Sequence, residues 1–219
     1  MTGQIVLLSG TSGSGKTTTS YAFAHRAEEP WLTFGMDLFV GSLFPAKYTM
    51  FGAKKDEGYY PNAYGPMCMK ALAAMHAMIA AAAQTGQNMV VDHLMFVDPP
   101  VLQDAIWRMA EVPVLFVNLR PSREVLKKRV TTRQIDFIPP PIQEAMAAAG
   151  PDIIKALADQ LSAVEPWFYE HAYANDIYDL ELDSSAMSPD EVCAGIEARL
   201  AEGPGTAFAR LREIYPKPC

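Results

Sequence analysis

Ile5-Val6-Leu7-Leu8, followed after Ser9 by Gly10-Thr11-Ser12-Gly13-Ser14-Gly15-Lys16-Thr17, is the stretch that decides how the rest of the chain is read. Four consecutive apolar residues suit a strand buried on both faces. The eight residues from Gly10 fit the spacing G-x-x-x-x-G-K-[ST] of a phosphate-binding loop. Glycines at 10, 13 and 15 allow backbone angles and close approaches that a Cβ would block. Successive N–H groups can then point inward as an anion nest. A helix starting near Lys16 adds about half a positive charge at its N-terminus. The Lys16 ammonium is placed to reach the β- and γ-phosphates of a nucleotide, and the Thr17 hydroxyl to offer Mg²⁺ an oxygen. The candidate nucleotide-binding set is therefore Gly10, Thr11, Ser12, Gly13, Ser14, Gly15, Lys16, Thr17 and Thr18. The competing reading, a Gly/Ser-rich turn with a surface lysine, explains neither the strand before the motif nor the helix pattern after it.

Working outward, 219 residues are enough for one α/β domain with a sizeable core. The net charge of −7, with no basic block longer than the three residues Lys127-Lys128-Arg129, argues against nucleic acid as a partner. Cys68, Cys193 and Cys219 are odd in number and lack metal-ligand spacing, which suits reduced thiols in a cytoplasmic protein. With no basic n-region or cleavage site before the first strand, a signal peptide is not expected, and the Ala/Met-rich stretch 71–83, which contains His76, is too weak for a membrane span. A homo-oligomer is left open.

The pattern along the chain alternates strand and helix. Residues 17–28 read as a helix with Tyr21, Phe23 and Ala24 inward, ended by Glu28-Glu29-Pro30. Trp31 to Phe34 is a second strand, and 38–44 a short helix. Residues 45–66 are irregular, with six Gly or Pro and five aromatics (Tyr48, Phe51, Tyr59, Tyr60, Tyr64), as functional loops often are. A helix over 67–84 precedes a third strand, Asn88 to Asp92. Pro99 to Ala110 is helical, Val112 to Leu119 is a fourth strand, and Ser122 to Arg133 is a charged helix. Residues 138–151 form a cover, and 152–172 are helical with a break at Pro166. Ile177 to Leu182 is a fifth strand. Ser188-Pro189-Asp190-Glu191 starts a helix with a serine cap, a proline and a glutamate in the capping-box position. A short helix follows the Gly203-Pro204-Gly205 linker. Such alternation implies one three-layer α/β domain over 1–219, a five-stranded parallel sheet with helices on both faces. A substrate-covering insertion would span about 41–66, and a lid about 121–172.

In a parallel sheet the site lies beyond the carboxyl ends of the strands. There the sequence places Asp37 after the second strand, Asp92-His93 after the third, Asn118 and Arg120 after the fourth, and Asp183-Ser184-Ser185 after the fifth. Asp92 is placed to hold Mg²⁺ with Thr17; otherwise it is a strand-end turn former. His93 suits contact with phosphate or substrate as well as a hydrogen-bonded structural role. Arg129 and Arg133, four apart, share a helix face and could neutralise phosphate charge; the bland reading is a solvated face. Asp37 follows a rigid strand end and could accept or orient a substrate hydroxyl. A free aspartate is a weak base, but a loose phosphoryl-transfer transition state needs orientation more than deprotonation. The alternative for Asp37 is an ordinary helix N-cap. The catalytic candidates are thus Lys16, Asp37, Arg129 and Arg133.

The stretches Glu29-Pro30-Trp31-Leu32-Thr33-Phe34-Gly35-Met36-Asp37, Met89 to Phe96, Val114 to Arg133 and Tyr178 to Ile196, with the phosphate loop, resemble the chloramphenicol phosphotransferase-like family of small P-loop kinases. The resemblance implies the nucleotide-kinase type of P-loop NTPase sheet. It also implies ATP-dependent phosphorylation of a hydroxyl on a small molecule, with Asp37 in the general-base position. Three departures stand out. His93 occupies the place of a second acid, Arg133 is followed by Gln134-Ile135-Asp136 rather than R-G-D-R, and the 45–66 and 134–172 segments diverge. The match therefore bears on the reaction type more than on chloramphenicol as acceptor. The aromatics and methionines of 43–69 suit an organic acceptor with hydrophobic parts, such as an antibiotic or related natural product. A nucleotide, sugar-nucleotide or metabolite kinase uses the same scaffold. A regulatory NTPase switch is disfavoured by the absence of D-x-x-G after a strand and of N-K-x-D.

Overall fold

The computed structural model describes residues 2–43, 66–132 and 166–218. Five parallel strands, β1 (Ile5–Ser9), β2 (Trp31–Gly35), β3 (Asn88–Asp92), β4 (Val114–Leu119) and β5 (Leu180–Leu182), form one sheet in the order β2-β3-β1-β4-β5. The central strand is β1. Every one of its residues is fully buried, as its unbroken apolar run requires of a strand covered on both sides. Ile5 pairs with Met89 on one side and Val114 on the other, and Leu8 stands beside Asp92. On the outer side of β3, Gly35 is the partner of Asp92. Both edge strands are less covered, and β5 is only three residues long.

Eight helical segments accompany the sheet among the described residues. These are α1 (Lys16–Arg26), α2 (Met36–Leu43), α3 (Pro66–Gln84), α4 (Val101–Arg108), α5 (Arg123–Thr132), α6 (residues 166–172), α7 (Pro189–Ala201) and α8 (Ala207–Ile214). Alternate residues of each strand feed two separate cores. Val6, Leu8, Val90, Leu115 and Val117 pack with Phe23 of α1 and Val192, Cys193 and Ile196 of α7. Ile5, Leu7, Val91, Val114 and Phe116 pack with Leu72, Met75 and Ile79 of α3, Leu102 and Ile106 of α4, and Phe208 and Leu211 of α8. The three layers follow from this two-sided burial.

Several boundaries differ from the sequence expectation. The first helix ends at Arg26, four residues before Pro30. Tyr21 is 59% exposed rather than inward; Thr19, Ser20 and Phe23 form the buried face. Small polar side chains let α1 lie close to the sheet and to α7, where the Cys193 thiol reaches the Thr19 carbonyl. The helix expected over Pro99–Ala110 is the shorter Val101–Arg108, and β5 begins at Leu180 rather than Ile177. The expected cover over 138–151, most of the insertion over 41–66 and the first part of the helix over 152–172 lie outside the described residues.

The short β5 is fixed by Asp179, just before it. This buried carboxylate accepts from the N–H groups of Phe116 at 2.8 Å, Thr206 at 2.6 Å and Ala207 at 2.9 Å. It thereby ties β4 to the start of α8. By contrast α7 caps itself. The Ser188 hydroxyl accepts from Glu191 N–H at 3.3 Å, and Glu191 returns the bond to Ser188 N–H at 2.7 Å.

Candidate active site

The turn from β1 to α1 wraps from Gly10 to Gly15. Gly10, Gly13 and Gly15 have φ of 142°, 82° and 98°. A Cβ at Gly10 would collide with the Leu119 carbonyl and the Ser14 side chain, so only glycine fits there. Lys16 Nζ turns back over the loop and donates to the carbonyls of Gly10 at 2.8 Å and Thr11 at 2.9 Å. The Ser14 hydroxyl oxygen is buried without a partner among the described residues, a polar group of the loop that a ligand could meet.

The neighbouring strand ends clasp this loop. Ser184, after β5, donates to the Ser14 carbonyl at 2.8 Å. Arg129 of α5 donates to the Ser184 carbonyl at 2.8 Å and to the Gly13 carbonyl at 3.4 Å. Tyr173, at the end of α6, donates to the Leu119 carbonyl at 2.8 Å, and its oxygen accepts from Thr11 N–H at 3.4 Å. The Arg120 guanidinium lies over the Tyr173 ring, 4.9 Å from its centroid. Arg129 thus sits over the phosphate loop rather than on a solvated face. Arg133, its expected companion, lies outside the described residues.

On the other side of the loop, the end of β3 brings up Asp92. Its side chain is buried and lies beside the Thr17 hydroxyl and the Met36 N–H, both of which favour its charged form. Burial raises the Asp92 carboxyl above the usual range. The Lys16 ammonium and the Thr17 hydroxyl pull against that rise, while the Asp37 charge adds to it. Asp37 is therefore close enough for its charge to be felt at Asp92. It lies in the first turn of α2, with its side chain exposed at the tip of β2. The oxygens of Thr17 and Asp92, side by side, fit a hard cation such as Mg²⁺. Among the described residues no group of three or more His, Cys, Asp or Glu side chains forms a separate metal cage. One or two protein oxygens with substrate phosphates suffice for Mg²⁺.

His93 resolves toward the structural side of its two readings. Its ring is completely buried on the opposite face of the sheet from Asp92. Its Nε2 lies 3.0 Å from Nε2 of His76 on α3, and His76 Nδ1 lies 2.6 Å from Asp104 Oδ2 on α4. Its Nδ1 lies 3.1 Å from the Leu94 carbonyl. Burial holds His93 well below its ordinary pKa, and His76 adds to this. Burial alone would raise the Asp104 carboxyl, but His76 and Arg108 outweigh it and hold Asp104 low. With both rings neutral and Asp104 ionised, two protons serve three contacts. The ionised Asp104 can only accept, so His76 Nδ1–H donates to it, and the single His93 proton serves either His76 Nε2 or the Leu94 carbonyl.

Sequence reasoning located the loop, Asp37, Asp92, Arg129 and the Ser184 turn, and the structure gathers them on one edge of the sheet. It passed over Tyr173, His76 and Asp104. Tyr173 stands among several aromatics with nothing local to distinguish it. His76 lies on a helix whose alanine-rich pattern reads as plain core.

Residues 3–201 match the family described as chloramphenicol phosphotransferase-like protein. Proteins named "Putative O-phosphotransferase" from two strains of Mycobacterium tuberculosis are each 29% identical over 226 residues, covering 97% of this chain and 89% of theirs. Among solved structures, an APS kinase of Mycobacterium tuberculosis, in complex with AMPPNP and APS, superposes with a TM-score of 0.59 at 14% identity. It covers 91% of this chain and 98% of that one. A sugar kinase of Janibacter sp. gives 0.54 at 16% identity over 92% and 95% of the two chains. These likenesses carry the fold, a P-loop kinase scaffold in which the central strand leads into the phosphate loop. The match over most of the chain, together with that loop and its flanking acids, shows that the protein belongs to the chloramphenicol phosphotransferase-like family and is an enzyme of the kinase type.

Proposed function

We propose that the protein transfers the γ-phosphoryl group of ATP to a hydroxyl of a small organic acceptor, an antibiotic or a related natural product. One observation carries this reading. The exposed Asp37 carboxylate stands at the tip of β2, near enough to act on Asp92, on the same sheet edge as Lys16 and the phosphate loop. A donor cradle and an acid facing solvent beside it are what a kinase of alcohols requires.

The loop N–H groups, Lys16 and Arg129 would bind the phosphates and hold the γ-phosphorus in line. Mg²⁺, held by Thr17 and Asp92, would supply charge neutralisation on the phosphate oxygens. Asp37 would accept a hydrogen bond from the acceptor hydroxyl and orient its lone pair. As the acceptor oxygen bonds to phosphorus, the bond from the γ-phosphorus to the bridging oxygen breaks and ADP leaves. The hydroxyl proton passes to Asp37 and then to solvent. The aromatic set at Tyr48, Phe51, Tyr59, Tyr60 and Tyr64, within the divergent segment, supports an acceptor with apolar or ring-bearing parts.

The test is ADP release from ATP and Mg²⁺, with and without a panel of hydroxylated antibiotics, nucleosides and sugars. Acceptor-dependent release with an antibiotic-type alcohol supports the reading. Release with nucleosides or sugars alone moves the acceptor class, and slow hydrolysis indifferent to every acceptor removes the kinase reading. With an active acceptor, Asp37→Asn should lower kcat by about 100-fold or more while ATP affinity holds. Lys16→Ala should weaken both nucleotide binding and turnover.

A further inference from the structure

The Asp104–His76–His93 chain has no place in the chemistry above, yet it buries three ionisable side chains directly behind the strand end that carries Asp92. His76 and His93 are fully buried, and Asp104 has only 14% of its side chain exposed. Buried groups of this kind are costly, and apolar residues of similar volume often serve stability as well or better. Their arrangement is directional. The chain links β3 to α3 and α3 to α4, and Asp104 is anchored at its outer end by Arg108, whose Nε lies 2.9 Å from Oδ1.

We infer that His93, His76 and Asp104 are positioning residues that fix the orientation of the Asp92 carboxylate toward the metal. Consecutive side chains on a strand point to opposite faces. A ring locked at 93 therefore fixes the backbone that aims the side chain at 92. The His93 N–H donates to the Leu8 carbonyl at 3.0 Å, carrying the β1–β3 ladder one residue beyond Asp92. With the backbone pinned and the His93 ring held by His76 on one face, Asp92 has little freedom to swing on the other. There it meets Thr17 and the Met36 N–H. The arrangement resembles the outer-shell partners of metal ligands, acting here through the peptide backbone instead of by direct contact. Because α3 begins at Pro66, where the divergent 45–66 segment ends, the same chain also ties the metal carboxylate to the helix that follows that segment.

This inference rests on the metal role proposed for Asp92, and the experiment separates the two. ADP affinity is measured on the full-length protein with Mg²⁺ and in EDTA, and Mn²⁺ binding is followed by electron paramagnetic resonance in the presence of ADP. The proteins are wild type, His76→Gln, Asp104→Asn, Asp92→Asn and the double variant His76→Gln/Asp92→Asn, with Tm recorded for each. His76→Gln and Asp104→Asn should each weaken metal binding about tenfold while leaving metal-free ADP affinity as it was. Adding His76→Gln to Asp92→Asn should cause no further loss, since both act through one carboxylate. Asp104 is partly exposed, so its variant keeps the question answerable if His76→Gln fails to fold. If Asp92→Asn weakens metal binding but Asp104→Asn and any folded His76→Gln only lower Tm, the chain is a fold staple and the inference is wrong. If Asp92→Asn itself leaves metal binding unchanged, the metal role fails and the inference falls with it.

Discussion

At Gly35 a methyl group would land on the Asp92 carboxylate, because β2 and β3 bring the two residues side by side. The glycine is there for room, not for an unusual backbone angle. Gly35→Ala would have to push Asp92 away from Thr17 and the Met36 N–H. We expect it to raise the Mg²⁺ concentration needed for half-maximal activity several-fold and to cost about 1–3 kcal/mol of stability. A Mg²⁺ titration of turnover alongside a thermal melt checks both. A change in Tm with an unaltered Mg²⁺ requirement would mean that Asp92 is not a metal ligand. Residues whose place in the loop follows from local spacing, such as Gly10, Lys16 and Thr17, were legible in the sequence. Tyr173 and Asp104 were not, because each acts on a group far away in the chain, Thr11 in one case and His76 in the other.

The helices show the same division between near and far. The start of α7 could be read from Ser188-Pro189-Asp190-Glu191, since both halves of its capping box lie within four residues. The start of α8 could not. Thr206 makes no side-chain cap there, and Asp179, 27 residues earlier, accepts from the Thr206 N–H in its place. The two caps should differ in worth. Ser188→Ala should cost about 1 kcal/mol. Asp179→Ala leaves three N–H groups without their acceptor and should cost about 3 kcal/mol or more. Urea denaturation of the two variants measures the gap; equal losses would show that Asp179 does no more than cap one helix. Helix α1 shows where apolar periodicity misleads. The tight approach of α1 to its neighbours selects Thr19 and Ser20 for the buried face and leaves Tyr21 outside.

At the scale of the whole molecule, the alternation of strands and helices was enough to establish a parallel sheet covered on both faces. The strand order β2-β3-β1-β4-β5 follows from no local pattern in the sequence and comes from the folded chain. The buried histidines give the folded state a pH dependence. His93 and His76 are both held below their ordinary pKa, chiefly by burial. Below about pH 6.5 an unfolded histidine takes up a proton that the folded one refuses, so stability is full above that pH and declines below it. Each such histidine should contribute a slope of about 1.4 kcal/mol per pH unit. Below about pH 4 the depressed Asp104 adds to the loss in the same direction. Denaturation at a series of pH values, compared with His93→Asn, should show the variant losing about one proton's worth of slope between pH 6.5 and 5. An identical slope in the two proteins would mean that His93 is not buried neutral.

Trp167 stacks on His171 with ring centroids 3.9 Å apart and an interplanar angle of 21°, and both belong to the helix that leads directly into the loop-binding Tyr173. The chain's other indoles, Trp31 and Trp107, sit on β2 and α4. With those two changed to phenylalanine, the light emitted by Trp167 would act as a built-in gauge of its contact with the imidazole. Any shift of that helix when nucleotide arrives could then be watched in real time without attaching a dye.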